Sequence, residues 1–223
     1  MARPKGIVPR VRRGTPPKEK AQWQKTYQRT PYDQLPWFEP GPSASLRIAA
    51  EEGFLPSKGT VLDIGCGAGS NLLFLAERGL HVRGIDLSPG AVAAARARAE
   101  ERHLIVDVRE GDALALDLPD QSLDAVNDNG CFHTIPVSRR GRYASEVFRV
   151  LRPEGRFVLS WVAREHVCEW GPPHRPSLAE VTTIFEPRFL FARTGFRPET
   201  PPDYPAAYFA FLVRRSSLQP PRR

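Results

Sequence analysis

The stretch Asp63-Ile64-Gly65-Cys66-Gly67-Ala68-Gly69 constrains this chain more than any other, because it lies between two short apolar runs that read as strands. Thr60-Val61-Leu62 leads into it, and Gly84-Ile85-Asp86 follows it. Closely spaced glycines let the backbone turn sharply and approach a ligand without Cβ interference. Ser70-Asn71 then opens an apolar run, Leu72 to Ala76, with helical character, which Gly79 closes. His81 to Ile85 forms the second strand. It ends on Asp86, about 20 residues after the first glycine, where a doubly wound fold places the carboxylate that holds a ribose.

The same alternation continues along the chain. Glu19 to Tyr27 reads as a short helix with Trp23 and Tyr27 on one face, and Thr30-Pro31-Tyr32 breaks it. An irregular aromatic loop, Leu35 to Pro42, precedes a helix from Ala44 to Glu52 capped by Ser43. Ser88-Pro89 starts a helix to Glu101, Leu104 to Val108 reads as a third strand, and Leu123 to Asp128 as a fourth. Ser138 to Leu151 has helical spacing, Arg152 to Gly155 turns, and Arg156 to Val162 is the fifth strand. A helix near 178–185 and two strands, Phe189–Phe196 and Ala206–Val213, finish the chain. Strand–helix cycles followed by two strands without a helix between them predict a parallel sheet covered on both faces, closed by an antiparallel last strand.

Composition decides where the charge acts. At 223 residues the chain is long enough for one well-buried domain and short for two. The formal charge is +7, but residues 1–20 hold seven Lys/Arg against one Glu, and the last ten residues hold four arginines. The tails therefore carry more than the whole excess, and the body is mildly acidic. Pro-, Arg- and Lys-rich ends without apolar periodicity read as solvated tails, 1–20 and 216–223, and not as a nucleic-acid surface. Residues 21–57 read as a helical, aromatic lid and 58–215 as the core. No apolar run approaches the ~20 residues of a membrane span. Three cysteines without paired spacing argue for a reducing, cytoplasmic compartment and against a disulfide framework, and no Cys/His cluster suggests a metal.

The glycine spacing is G-x-G-x-G and departs from the G-x-G-x-x-G of a pyrophosphate turn. Asp63, two residues before the first glycine, sets a carboxylate beside the pocket, awkward for a pyrophosphate and apt for a cationic amino group. Asp-x-Gly-x-Gly-x-Gly followed by a strand-end acid resembles the class I methyltransferases that bind S-adenosylmethionine. The resemblance implies a Rossmann-like α/β fold with a seven-stranded, mostly parallel sheet. It also implies S-adenosylmethionine as cofactor and S-adenosylhomocysteine as product. Asp63 and the backbone of Gly65, Cys66, Gly67 and Gly69, with Asn71 beyond, would then surround the amino acid moiety. Asp86 would accept from the ribose hydroxyls, Leu87 would pack on adenine, and Asp112 with Ala113 would read its edge. Asp128, Asn129 and Trp37 complete the cofactor candidates. An Asp after a strand is also a common cap or turn former, which is the competing reading of Asp112.

Trp23, Tyr27, Pro36-Trp37, Asp128 to His133 and Arg142-Tyr143 are further similar to small-molecule methyltransferases of the thiopurine and tellurite-resistance type. Asn129 departs from the small residue expected there. The likeness implies a small-molecule acceptor (a thiol, or an aromatic hydroxyl or amine) and an enzyme without nucleic-acid or membrane partner, monomeric. His133, Asn129 and Tyr143 are the catalytic candidates. His133 has two readings, a general base or a brace for its own loop. The aromatic lid suits a sulfonium by cation–π attraction, or simply staples the first helix to the sheet. His166, Glu169, Trp170 and His174 are candidate acceptor contacts. The competing function is a nucleic-acid or protein methyltransferase steered by the basic tails.

Overall fold

In the computed structural model, residues 14–164, 172, 174–197 and 206–217 are described. Seven strands form one sheet in the order β3-β2-β1-β4-β5-β7-β6. These are β1 (Thr60–Ile64), β2 (His81–Asp86), β3 (Asp107–Glu110), β4 (Leu123–Asn129), β5 (Leu151–Val162), β6 (Phe189–Arg197) and β7 (Ala207–Arg214). The first five run parallel, and β7 inserts antiparallel between β5 and β6. The chain order reverses beside β1, between β2 and β4, which opens a crevice beyond the carboxyl ends of those strands.

The helices are α1 (Pro17–Arg29), α2 (Ala44–Glu51), α3 (Ser70–Glu77), α4 (Pro89–Glu101), α5 (Val137–Val150) and α6 (Leu178–Phe185). Two apolar layers follow from sheet alternation. Leu62, Ile64, Val126, Phe157 and Leu159 pack with Tyr143 and Val147 of α5 and Phe185 of α6 on one side. Val61, Val82, Ala125 and Val158 pack with Leu46 of α2, Leu72 of α3 and Ala95 of α4 on the other. The two caps the sequence predicts are present, Ser43 and Ser88 accepting from Leu46 and Ala91, and the structure adds a capping box of Ser177 with Glu180 on α6. No helix among the described residues is long and apolar enough to cross a membrane.

Two boundaries differ from expectation. β3 starts at Asp107 and not at Leu104, because His103 leaves α4 at φ 55° and Ile105 is almost wholly exposed, so pairing begins at Arg83–Asp107. The expected turn at Arg152–Gly155 is instead an excursion within β5. Leu151 already pairs with Leu123, Glu154 takes φ 63°, and pairing resumes at Arg156 with Ala125. At the amino end, α1 begins at Pro17 and Thr15 already bonds to the body, so the basic stretch joins the fold before residue 20.

Candidate functional site

The turn after β1 is built by backbone conformation. Gly65 and Gly67 take φ of 63° and 53°, and a Cβ on Gly65 would stand 2.7 Å from that of Cys131. The left-handed region and that close approach both call for glycine. Gly69, also left-handed, is the N-cap of α3. Arg98 of α4 ties the turn down: it donates to the Ala68 carbonyl (2.6 Å), the Ser70 hydroxyl (3.1 Å) and the Pro40 carbonyl (3.2 Å). Its guanidinium also lies over Tyr32 and Phe38, joining the aromatic loop to the glycine turn.

Three strand-end carboxylates differ in what they have left to offer. Asp86 accepts the Gly67 N–H through Oδ2 (3.0 Å) and the Ser88 N–H through Oδ1 (2.9 Å), and it remains partly exposed. Burial pushes its pKa up to about 6 against those backbone donors. Asp63 is buried. Its Oδ1 accepts from the Asn127 amide (2.7 Å), while its Oδ2 and the Asn127 Oδ1 have no hydrogen-bond partner. Burial raises the Asp63 pKa to about 7, opposed by Asn127 and the Leu72 backbone and reinforced by Asp128 and Asp86. Two buried acceptors without a hydrogen bond, on a contacting pair of side chains, call for a donor, and a cationic amino group is one.

Asp128 is spent on the protein itself. Its oxygens accept the Cys131 N–H (2.8 Å), the Phe132 N–H and the Tyr143 hydroxyl (2.5 Å), and the residue is fully buried. The expectation of a cofactor contact from Asp128 therefore gives way to a cap for the turn after β4. Tyr143 changes role with it: wholly buried in the α5 layer, it holds Asp128 in place and reaches no cleft. Asn71 likewise turns away, accepting the Ser43 N–H at 2.8 Å and fixing the start of α2.

His133 sits on a 3-10 turn and accepts the Val162 N–H at Nδ1 (3.0 Å). Burial, with Arg140 and Arg175 nearby, pushes its pKa down to about 3. The imidazole is therefore neutral with its proton on Nε2, which makes that nitrogen a donor and favours the brace over the general base. Asn129 is exposed at the end of β4 and accepts from the Ser160 hydroxyl. Both line a cavity of about 30 Å³ with Glu39, Ser45, Arg197 and Tyr208. Burial raises the Glu39 pKa, while Arg197 and Arg47 oppose it.

The amino-terminal segment covers the other end of the crevice. The Tyr27 hydroxyl reaches Gly67, where a Cβ would come within 3.0 Å of it, and bonds to Trp37. Burial, and then Asp86, push its phenol pKa up. Trp37 is 41% exposed and stands edge-on to Trp23, 5.8 Å between centroids. Asp112 accepts from Thr15 at both oxygens and from the Leu114 N–H, and pairs with Lys20. Ala113 is buried and Leu87 partly so. Cys66 and Cys131 are free thiols whose pKa burial drives upward, and no metal-binding cluster exists among the described residues. His174 offers its carbonyl to Arg140, whereas His166, Glu169 and Trp170 lie outside the described residues.

Sequence reasoning missed Asn127, Glu39, Arg98, Thr15 and Lys20 as parts of the site. Asn127 and Arg98 had a signal, a polar residue inside a buried strand and a lone arginine within an alanine-rich helix face. The others become visible only when distant segments meet.

A glycine turn at a topological switch point, with an adjoining strand-end acid, defines a nucleotide-binding α/β enzyme. The comparisons with known proteins refine this. Residues 61–155 match the family model described as a methyltransferase domain. A demethylmenaquinone methyltransferase of Thermus thermophilus is 34% identical over 158 residues, 66% of this chain and 67% of that protein. A 2-heptyl-1-hydroxyquinolin-4(1H)-one methyltransferase of Mycobacteroides abscessus is 31% identical over 125 residues, 56% of this chain and 54% of that one. The chain thus spans about half to two thirds of these curated relatives. The solved 1,6-didemethyltoxoflavin-N1-methyltransferase of Burkholderia thailandensis, with S-adenosylhomocysteine bound, shares the fold at TM-score 0.71 and 20% identity, covering 91% of this chain and 92% of that one. This chain belongs to the class I S-adenosylmethionine-dependent methyltransferases. None of these three carries a thiopurine or tellurite name, so that narrower likeness rests on the sequence elements alone.

Proposed function

We propose that this chain methylates a small, flat acceptor, an aromatic hydroxyl or amine or a thiol, held beyond the ends of β4 and β5. The observation that carries the reading is the pairing of Asp86, still able to accept, with the bare acceptors of Asp63 and Asn127 on either side of the glycine turn. These fit the two ends of a nucleoside that carries an amino acid through a sulfonium sulfur. When bound, S-adenosylmethionine supplies an electrophilic methyl on a sulfonium whose leaving group departs neutral, so the protein needs no acid to release it.

The residues then have distinct tasks. Asp86 holds the ribose diol by charge-assisted hydrogen bonds. Asp63, Asn127 and the backbone of Gly65 to Gly69 hold the amino acid end. Asp112, Ala113 and Leu87 border adenine. Tyr27 and Trp37 exclude water and present aromatic faces to a cation. Rate comes from alignment, and the acceptor is aligned by Asn129, Ser160 and Glu39, with His133 holding the loop. The cavity there admits little more than a water, so loop or strap movement accompanies acceptor entry. The relatives' names, a demethylated menaquinone and a hydroxyquinolinone, support ring acceptors. Cys66 and Cys131 as free thiols agree with a cytoplasmic setting.

The test is a turnover screen with methyl-labelled cofactor against thiols, phenols, hydroxyquinolines and amines, run beside RNA, DNA and protein. Label transfer to a ring compound or thiol supports the proposal. Transfer confined to nucleic acid or protein, and abolished by 0.5 M salt, sinks it.

A further inference from the structure

Asp112 is heavily engaged by the protein itself. An ionised carboxylate accepts at roughly four lone-pair positions, two on each oxygen. Three hydrogen bonds claim them, from Leu114 N–H (2.9 Å) and Thr15 Oγ1 (2.8 Å) to Oδ1 and from Thr15 N–H (2.5 Å) to Oδ2, and the Lys20 ammonium stands 3.5 Å from Oδ2 as an ion pair. Little acceptor capacity remains for an adenine amino group while Thr15 and Lys20 stay in place. We infer that Thr15 and Lys20 compete with the cofactor's adenine for Asp112, so that the amino-terminal strap must let go before the cofactor can seat. The inference rests on the methyltransferase reading above.

The strap is built to move as a piece. Glu19 pairs with Arg139 of α5, Lys20 with Asp112, and Tyr27 lies over Gly67 beside Asp86. One helix thus touches the adenine and the ribose ends of the crevice together, and releasing it frees both. Its grip is light, because no residue of α1 is fully buried, Lys20 is half exposed at the Asp112 pair, and both side chains of the Glu19–Arg139 pair reach water. Two hydrogen bonds from Thr15 to a buried carboxylate are the strongest part of the latch. Burial works against ionisation of Asp112, but the Thr15 and Leu114 donors outweigh it and hold its pKa below the usual carboxylate range. The latch is therefore charged at neutral pH.

Trp23 in α1 and Trp37 beside Tyr27 report on the strap directly. Stopped-flow tryptophan fluorescence with S-adenosylhomocysteine would compare the full wild-type chain with Lys20→Gln and with the double variant Thr15→Val, Lys20→Gln. Competition predicts association at least threefold faster in the double variant, a smaller gain in Lys20→Gln, and tighter equilibrium binding in both. Unchanged or slower association, or weaker binding, overturns it, since the strap would then be part of the cofactor's site. Lys20→Gln changes a half-exposed side chain, so it reads out even if the double variant folds poorly. Wild-type protein that fails to bind S-adenosylhomocysteine by calorimetry overturns the cofactor reading and the gate with it. Binding with variant rates equal to wild type overturns the gate alone.

Discussion

Helices α1 and α5 have 13 and 14 residues, and both border the crevice, yet they belong to different parts of the molecule's economy of contacts. The α5 helix buries Arg140, Tyr143, Ala144, Glu146, Val147 and Val150; α1 has no fully buried residue and is held by ion pairs and the partly buried rings of Trp23 and Tyr27. Beneath α5 the site is finished, with Asp128 fully satisfied and its neighbours capped. On the glycine-turn side it is unfinished: one oxygen of Asp63 and one of Asn127 lack a donor, Asp86 is partly exposed, and Asp112 is held by Thr15 and by Lys20 of α1, a helix with no fully buried residue to resist release. Regions with few buried apolar contacts open at low cost, and binding elements are drawn from them. The difference teaches that the α5 side is a closely packed floor, whereas the cofactor side is covered by a lightly held helix.

The comparison breaks first at the two acids. Asp86→Ala should weaken S-adenosylhomocysteine binding about 100-fold, near 2.7 kcal/mol, for two hydrogen bonds to a charged group. Stability should hold or rise, because the fold keeps this acid above its ordinary pKa and so carries a cost at neutral pH. Calorimetry and a melt on the same sample check both; binding like wild type removes Asp86 from the site. Tyr143→Phe should do the reverse. It strips a buried carboxylate of a donor and should cost about 2 kcal/mol of stability by urea titration, while cofactor affinity stays near wild type. A large affinity loss at unchanged stability would put Tyr143 at the ligand instead.

Acidity sharpens the contrast next. Asp86 and Asp63 titrate at about 6 and about 7, both raised chiefly by burial. A carboxyl raised by folding favours the folded state while protonated, so ligand-free stability should fall as pH rises from about 4 through 7. Asp128, raised to about 6, adds to the same slope. Cofactor affinity should move the opposite way, since the ionised acids bind the diol and the ammonium. We expect roughly a tenfold gain between pH 5.5 and 8, on the order of one pKa unit of linkage. Asp63→Asn should flatten its upper half; a gain undiminished in that variant would exclude Asp63 from the ammonium.

These assignments also mark how far the sequence could be read. The sheet, its two apolar layers, the glycine turn and Asp86 were legible because each is local: alternation, glycine spacing and a strand end lie within a few residues of one another. The roles of Asp128, Tyr143 and Asn71 were not, because a carboxylate or amide reads the same whether its partner is a ligand or a side chain from another helix. Only the contact of α5 with the end of β4, and of α3 with Ser43, decides it. Asp112 failed to declare itself for the same reason, Thr15 lying 97 positions away and Lys20 with it in a segment that composition marks as tail. Tertiary pairing, not local chemistry, separated floor from cover.

The smallest expected effect concerns His133, on the floor side. Its Nδ1 accepts the Val162 N–H, and a pKa near 3 keeps it neutral from pH 5 to 9, so ionisation of His133 should not shape the turnover profile in that window. An asparagine oxygen can replace that acceptor with little change of reach. His133→Asn should therefore keep turnover within about threefold of wild type, under ~1 kcal/mol in the barrier. His133→Phe, which leaves the Val162 amide without a partner, should lose more, through misplaced Asn129 and Ser160 and with a raised KM. A general base predicts the other pattern, with both variants equally impaired in kcat and an acidic limb lost from the profile. Measuring the two variants across pH decides between a brace and a base, and with it whether the acceptor end does any proton chemistry.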